Sequence, residues 1–206
     1  MHRYRSVRSA SGSRLIPLRY WKPIQTGGDR DDDTSEVRRL GSCRPHEILR
    51  DGVRLPRPVS PHLAARLNGE TIDVQALLDT LGTQPPFSRW IVEGAGGVLV
   101  PINESQLMVD LMVRLGLPVL VVARARLGTI NHTLMTLEAL SARSLAVAGV
   151  VMVGTRNQEN RRAIETYGRV RVLGELPRLT PITSRALARW AASELDAEAR
   201  LLEWMR

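Results

Sequence analysis

The chain has 206 residues, 43% of them hydrophobic, and a formal net charge of +8 at pH 7. No apolar run approaches the roughly 18 residues of a membrane helix, and the single cysteine, Cys43, cannot form an internal disulfide. The composition therefore excludes a membrane span and predicts a reduced, cytoplasmic protein, long enough for one medium-sized α/β domain.

The positive charge is concentrated near the N-terminus. Residues 1–28 contain six basic residues and no Asp or Glu, so they carry six of the eight net charges. The rest of the chain is nearly balanced, which argues against a nucleic-acid-binding face on the folded body. Residues 1–19 show neither helical nor strand periodicity, and we interpret them as an irregular basic segment. Their composition matches that of a transit peptide, but disorder or an incorrectly placed start explains it as well.

From residue 20 onward, apolar strands alternate with amphipathic helices. Strands are predicted at residues 89–93, 118–123, 146–153 and 170–173, and helices at 106–115, 129–142 and 158–167, with one or two more at 184–205. Thr129 or Asn131 can cap the helix at 129–142. This alternation predicts an α/β domain over residues 20–206, with a mostly parallel sheet covered by helices on both faces. Residues 29–61 are the least regular stretch, and such loops often form part of a site.

Lys22 is the only lysine among the 29 Lys and Arg residues. A GC-rich genome accounts for an Arg bias at ordinary surface positions, which makes the exception informative. If residues 15–21 form a strand, Lys22 follows its carboxyl end, and a compact ammonium group there suits a task that a planar guanidinium does not. The alternative is a solvated lysine before a turn.

Glu93 also follows a predicted strand and precedes the turn Gly94-Ala95-Gly96-Gly97. A carboxylate at that place can hold Mg²⁺, and the glycines let the backbone approach a ligand closely. The alternative is a flexible turn with an exposed glutamate. The acidic run at residues 31–33 is either solvated or supplies a second carboxylate to the same ion.

Taken in chain order, these pieces resemble the dethiobiotin synthetase family. The matching motifs are Lys-Pro-Ile-Gln-Thr-Gly at 22–27, Ser-Pro-His at 60–62, Val-Glu-Gly-Ala-Gly-Gly at 92–97, Leu-Gly-Thr-Ile-Asn-His at 127–132, Ala-Gly-Val-Val at 148–151 and Leu-Gly-Glu-Leu-Pro at 173–177. The resemblance covers residues 19–180. It implies a P-loop NTPase-like fold and a homodimer.

Enzymes of this family join CO₂ to 7,8-diaminopelargonic acid: a carbamate forms, ATP phosphorylates it, and the second amine closes the ureido ring with loss of phosphate. The resemblance implies that Lys22 stabilises the carbamate and the transferring phosphoryl group. It makes Asp33 and Glu93 the Mg²⁺ ligands, although Asp31 and Asp32 remain alternatives to Asp33. The implied substrate-binding residues are Thr26, Ser60 and Gly97, with Leu127, Gly128, Thr129 and Asn131 meeting the substrate carboxylate from the partner subunit. The implied nucleotide-binding residues are Glu93, Gly94, Ala95, Gly96, Asn157, Leu176 and Pro177.

The sequence departs from the family in two respects. In the family, an Asn commonly follows the strand that corresponds to residues 149–152 and recognises adenine, whereas residues 153–157 here read Val-Gly-Thr-Arg-Asn, so that Asn157 would have to substitute for it. The sequence differs more seriously in the second respect. It contains no Gly-x-x-x-x-Gly-Lys-Ser/Thr motif, the loop that holds the ATP phosphates. A wrongly started or frameshifted gene model explains this absence, and a non-catalytic diamine-binding or regulatory relative is the alternative. We expect the polypeptide as written to be inactive or severely impaired. A related amidating or partitioning ATPase would need the same missing loop.

Overall fold

The computed structural model describes residues 6–8, 15–28, 32–86 and 88–204. They fall into two compact units, which we call the N-terminal unit (within residues 4–115) and the C-terminal unit (within residues 116–206). Among these described residues, no helix is both long and apolar enough to cross a membrane.

The N-terminal unit is built from short strands and helices. Its strands are β1 (Ser6–Arg8), β2 (Leu15–Trp21), β3 (Ile24–Thr26), β4 (Ile48–Leu49), β5 (Val53–Leu55) and β6 (Arg89–Val92). Its helices are α1 (Asp33–Gly41), α2 (Pro61–Leu67), α3 (Val74–Gly82) and α4 (Met108–Leu115), with a 3-10 turn at Pro45–Glu47.

Strand β2 organises the sheet of the N-terminal unit. It pairs in parallel with β4 and with β6, and β1 runs antiparallel to its first residues. Strands β3 and β5 form a separate parallel pair. The core beneath these strands is apolar, and its most deeply buried side chains include those of Trp21, Ile24, Leu55, Ile72, Val74, Ile102, Met108 and Leu111. Burial of this face, rather than helix or strand propensity, accounts for most of the stability of such short elements.

The C-terminal unit is more regular. Strands β7 (Val119–Arg124), β8 (Val147–Val153) and β9 (Val172–Leu176) form a parallel sheet in that order. The helices are α5 (Thr129–Ser141), α6 (Gln158–Gly168), α7 (Ser184–Ser193) and α8 (Leu201–Trp204). Strand β8 is the central strand, and its residues 149–152 are buried, as its apolar sequence predicts.

The predicted α/β class with mostly parallel strands is confirmed. Residues 29–61, expected to be the least regular stretch, contain α1, β4, β5 and the 3-10 turn. One detail of the prediction is wrong. The basic segment 1–19 is not irregular throughout, because β1 and most of β2 lie in it, and these strands are too short to show a clear period in the sequence. A single domain over residues 20–206 stays a prediction.

Candidate active site

Lys22 is buried among carboxylates in the N-terminal unit. Only 4% of the residue is exposed. Its Nζ donates to Glu93 Oε1 at 2.9 Å and lies 2.5 Å from Asp33 Oδ2. Both carboxylate side chains are 42% exposed, so the cluster opens to solvent on their side. We call Lys22, Asp33 and Glu93 the lysine cluster. A buried ammonium group needs such partners, because an unpaired charge in the interior is very costly.

The sheet brings Lys22 and Glu93 together. Strands β2 and β6 are parallel and pair Trp21 with Val92, so the two residues that follow them leave the sheet at the same edge. The Glu93 amide donates to the Trp21 carbonyl at 2.9 Å, which continues the ladder by one residue. The carboxyl-terminal edge of a parallel sheet is where ligands of α/β proteins usually bind. The expected proximity of Lys22 and Glu93 is therefore present.

The helix start of α1 separates the roles of two neighbouring aspartates. Asp32 is the N-cap: its carboxylate accepts from the Thr34 amide at 3.0 Å and from the Ser35 hydroxyl. The hydrogen bond from Ser35 is the main reason why the pKa of Asp32 lies below its usual value. Asp33, the first helical residue, instead reaches Lys22. Of the alternatives left open by the sequence, Asp33 lies in the lysine cluster and Asp32 acts as a cap, whereas Asp31 lies outside the described residues.

Tyr20 is a further partner of Glu93 that the sequence did not single out. Its hydroxyl donates to Glu93 Oε2 at 2.6 Å, and the residue is buried. Burial, reinforced by the hydrogen bond to Glu93, raises the pKa of Tyr20 far above its ordinary value. The phenol is therefore a permanent donor at neutral pH. A signal was available, because side chains two residues apart on a strand share a face, and Tyr20 is two residues before Lys22.

The backbone of Lys22 is fixed by hydrogen bonds from β5. Arg54 donates from Nη1 to the Lys22 carbonyl at 2.9 Å and from Nη2 to the Arg50 carbonyl at 3.0 Å. The Val53 amide donates to the Pro23 carbonyl at 2.8 Å. Burial lowers the pKa of Arg54, but a guanidinium remains protonated at any physiological pH. Arg54 was not singled out from the sequence, and no local signal marks an arginine that binds carbonyls of a distant turn.

The glycine turn after β6 packs tightly at one position. Gly96 has φ +79°, and a Cβ there would lie 2.9 Å from Val100 Cγ2, so only glycine fits without strain. Ala95 is buried, and a Cβ on Gly94 would touch Met108. Gly97 is exposed, with open space where a Cβ would point. This space is available to a ligand.

Thr26 and Ser60 lie on two other elements of the N-terminal unit. Thr26 ends β3, where it pairs with Leu55. Ser60 precedes α2 at the N-cap position, but its hydroxyl makes no capping hydrogen bond. A cavity of about 440 Å³ adjoins this region. Its lining comprises Gln25, Gly28, Asp32, Thr34, Arg50, Arg54, Leu55 and Pro56. Neither Thr26 nor Ser60 lines it.

Helix α5 of the C-terminal unit begins differently from the sequence prediction. Gly128 occupies the N-cap position with φ +90°, so neither Thr129 nor Asn131 caps the helix. The prediction of a side-chain cap is wrong because a left-handed glycine starts the helix directly. Thr129 is buried, and its Oγ1 has no hydrogen-bond partner within the described parts of the chain. Leu127, by contrast, is fully exposed.

The proposed nucleotide contacts of the C-terminal unit follow β8 and end β9. Asn157 is the N-cap of α6, and its Oδ1 accepts from the Asn160 amide at 2.9 Å. Leu176 is the last residue of β9, and Pro177 follows it. The side-chain oxygen of Asn157 is therefore occupied by the helix cap. A role of Asn157 in adenine recognition stays a prediction.

Comparison with known proteins gives concordant results. A family model described as an AAA domain matches residues 13–186. A protein of Paramagnetospirillum magneticum named ATP-dependent dethiobiotin synthetase is 51% identical over 169 residues, which cover 82% of this chain and 80% of that protein. Proteins of the same name from Nitrobacter hamburgensis and Agrobacterium fabrum are 44% and 42% identical over 183 residues, which cover 89% of this chain and 84% of each relative.

Proposed function

Because the chain belongs to the ATP-dependent dethiobiotin synthetase family, we propose that its lysine cluster is the reaction centre for dethiobiotin formation in biotin biosynthesis. The observation that carries the proposal is the single buried lysine held between two carboxylates at the carboxyl edge of a parallel sheet. No other lysine in the sequence could take its place.

In the proposed reaction, one amine of 7,8-diaminopelargonate attacks CO₂ and loses a proton, which leaves a carbamate. The γ-phosphoryl group of ATP passes to a carbamate oxygen, and ADP leaves. The second amine then attacks the carbamate carbon and loses a proton, and the bond between that carbon and the phosphate oxygen breaks, which releases phosphate and closes the ureido ring. Negative charge accumulates on the carbamate and on the phosphoryl oxygens. The Lys22 ammonium provides a compact positive charge for both, preorganised by its carboxylate partners.

Asp33 and Glu93 fit a magnesium ion by their chemistry. Both are carboxylates whose oxygens contact the same Nζ, so they lie close enough to share one cation. No group of three or more His, Cys, Asp or Glu side chains suited to a metal occurs in the parts of the chain that the structure describes. Mg²⁺ typically takes one or two carboxylates and completes its shell with phosphates and waters. When bound, it would neutralise charge on the ATP phosphates.

The remaining site residues are proposed from the resemblance to the family. Thr26, Ser60 and Gly97 are proposed to lie along the substrate, and Gly94 to Gly96 to approach the nucleotide. In the C-terminal unit, Asn157, Leu176 and Pro177 are proposed nucleotide contacts. We propose a homodimer in which Leu127, Gly128, Thr129 and Asn131 meet the substrate carboxylate of the partner subunit. The start of α5 suits an anion, because the positive end of the helix dipole lies there.

We expect the 206-residue polypeptide by itself to turn over very slowly. Removal of a single preorganised charge-stabilising donor costs about 100- to 1000-fold in rate, and the sequence lacks the whole loop that would hold the ATP phosphates. The same observation favours a second candidate, a non-catalytic relative that binds the diamine.

Two measurements on the purified chain separate these possibilities. The first is ADP formation that depends on both diaminopelargonate and bicarbonate, and its detection on the purified chain would contradict the expected impairment. The second is calorimetric titration with diaminopelargonate in the absence of ATP, on the wild type and on Lys22→Gln. Binding without turnover supports the non-catalytic candidate. If the chain neither binds diaminopelargonate nor forms ADP, both candidate functions are wrong for this polypeptide.

A further inference from the structure

Glu93 is held by two different donors, one at each oxygen. Oε1 accepts from the Lys22 ammonium at 2.9 Å, and Oε2 accepts from the Tyr20 hydroxyl at 2.6 Å. The Glu93 side chain is otherwise 42% exposed, so little else restrains it. Tyr20 itself is 6% exposed, and its ring is fixed by the surrounding structure.

The parallel register places these groups reproducibly. Tyr20 pairs with Ile91, and Lys22 and Glu93 come directly after the ends of β2 and β6, so the alternation along the strands places Tyr20, Lys22 and Glu93 on one side of the sheet. The hydroxyl therefore reaches Glu93 from the strand next to it, without any intervening loop. A rigid donor on a neighbouring strand can select one side-chain rotamer of the carboxylate.

We infer that Tyr20 is a positioning residue that holds the Glu93 carboxylate toward Lys22 and Asp33. Its hydroxyl occupies Oε2, which leaves Oε1 directed at the interior of the lysine cluster. Without it, the half-exposed carboxylate turns toward solvent, and the cluster loses one of its two negative groups. In the proposed function this carboxylate is a metal ligand, so the metal part of the inference rests on that proposal. Hydrogen-bonded groups behind a metal ligand typically contribute 10- to 100-fold in metal affinity.

The test compares Tyr20→Phe with Tyr167→Phe. The first variant keeps the buried ring and removes only the hydroxyl, and the second makes the same change at a tyrosine that is 75% exposed. Because the protein has one lysine, ¹⁵N labelling of lysine side chains gives a single NMR signal from Lys22. The first readout is the rate at which the Lys22 ammonium protons exchange with water, measured without metal. The second is Mn²⁺ affinity by electron paramagnetic resonance, with Glu93→Gln as the reference for loss of the ligand.

We expect Tyr20→Phe to speed the exchange of the Lys22 protons several-fold and to weaken Mn²⁺ binding about tenfold, whereas Tyr167→Phe changes neither. Wild-type exchange and affinity in Tyr20→Phe, with weakened binding in Glu93→Gln, would overturn the inference and leave the metal site intact. If Glu93→Gln binds Mn²⁺ as the wild type does, the proposed metal site fails, and the exchange rate alone decides the role of Tyr20. A Tyr20→Phe chain that does not fold would make the hydroxyl structural and would also overturn the inference.

Discussion

The two units bury charged groups for different purposes. In the C-terminal unit, Asp196 is 2% exposed, and its carboxylate accepts from the Arg200 and Leu201 amides at the start of α8. In the N-terminal unit, the buried charge is the Lys22 ammonium, and its partners are carboxylates that remain open to solvent. The first arrangement satisfies backbone donors at the start of a helix. In the second arrangement, a ligand can replace one of the contacts between the ammonium group and the solvent-exposed carboxylates.

The two units also differ in the length of their strands. The C-terminal unit has strands of five to seven residues in one parallel sheet. The N-terminal unit has strands β3, β4 and β5 of only two or three residues. Side chains there bond to backbone across the loops, as Trp21 Nε1 does to the Asp51 carbonyl at 2.6 Å. Because these strands are short, hydrogen bonds from side chains to loop backbone position the residues of the site. The predictions below test this difference.

The largest effect is expected at Gly52, where the loop before β5 meets the turn after Lys22. Gly52 has φ +143°, and a Cβ there would lie 2.5 Å from the Pro23 carbonyl oxygen. We expect Gly52→Ala to destabilise the protein by about 3 kcal/mol, since strain and a backbone clash act together. Urea unfolding measures the change. Gly82→Ala, with nothing near the new methyl, is the control and should cost nothing. Equal stability of the two variants would show that the loop is not tightly packed.

Arg54 is expected to give the next largest effect. Arg54→Met keeps much of the side-chain length and removes the hydrogen bonds to the Lys22, Val53 and Arg50 carbonyls. Partial solvent access discounts their value, and we expect a loss of about 2 kcal/mol together with a shifted Lys22 NMR signal. The exposed Arg57→Met is the matched control. An unshifted Lys22 signal in Arg54→Met would contradict the view that Arg54 fixes the Lys22 backbone.

A helix cap in each unit offers a smaller and pH-dependent comparison. Asp32→Ala and Asn157→Ala each remove an N-cap and should each cost about 1 kcal/mol at neutral pH. The pKa of Asp32 is lowered in the folded state, so its contribution is present above the unfolded value near 4 and disappears as the pH falls through the lower, folded value. Asn157 does not titrate. The difference in unfolding free energy between the wild type and Asp32→Ala should therefore disappear at acidic pH, whereas the difference between the wild type and Asn157→Ala should remain. The same pH dependence of the two differences would contradict this prediction.

The smallest effect is expected at two buried hydroxyls, one in each unit. Thr34 Oγ1 and Thr129 Oγ1 have no partner among the described residues. Replacement by the isosteric valine should stabilise each site by about 0.5–1 kcal/mol, since no hydrogen bond is lost and a polar group leaves the interior. Thermal unfolding measures this. A clear loss of stability in either variant would reveal a partner that the structure does not contain.

Much of the C-terminal unit could be predicted because its elements are long enough to show a period. Strand β8 was predicted at residues 146–153 and lies at Val147–Val153, and α6 was predicted at 158–167 and lies at Gln158–Gly168. The start of α5 was wrong in its cap, because a glycine with positive φ is invisible to a search for capping side chains. Strand β9 begins two residues later than predicted and extends to Leu176.

The candidate site was only partly predictable. The proximity of Lys22 and Glu93 follows from one rule, that residues after neighbouring parallel strands meet at one edge. The contribution of Arg54 depends on a contact between residues 32 positions apart, which a single sequence does not encode locally. Tyr20 contacts a residue 73 positions away, and only its place two residues before Lys22 marks it in the sequence. The choice of Asp33 over Asp32 depended on which residue begins α1, and element boundaries are the least certain part of any sequence-based assignment.

The most direct test of the account uses ¹³C NMR. The 206-residue chain is mixed with ¹³C-bicarbonate and 7,8-diaminopelargonate without ATP, and the spectrum is searched for a protein-bound carbamate. We expect a carbamate signal in the wild type and in Tyr167→Phe, and its loss in Lys22→Gln, because the ammonium group is the cation proposed to hold that anion. A carbamate signal of equal intensity in Lys22→Gln would contradict the central claim that the lysine cluster is the reaction centre.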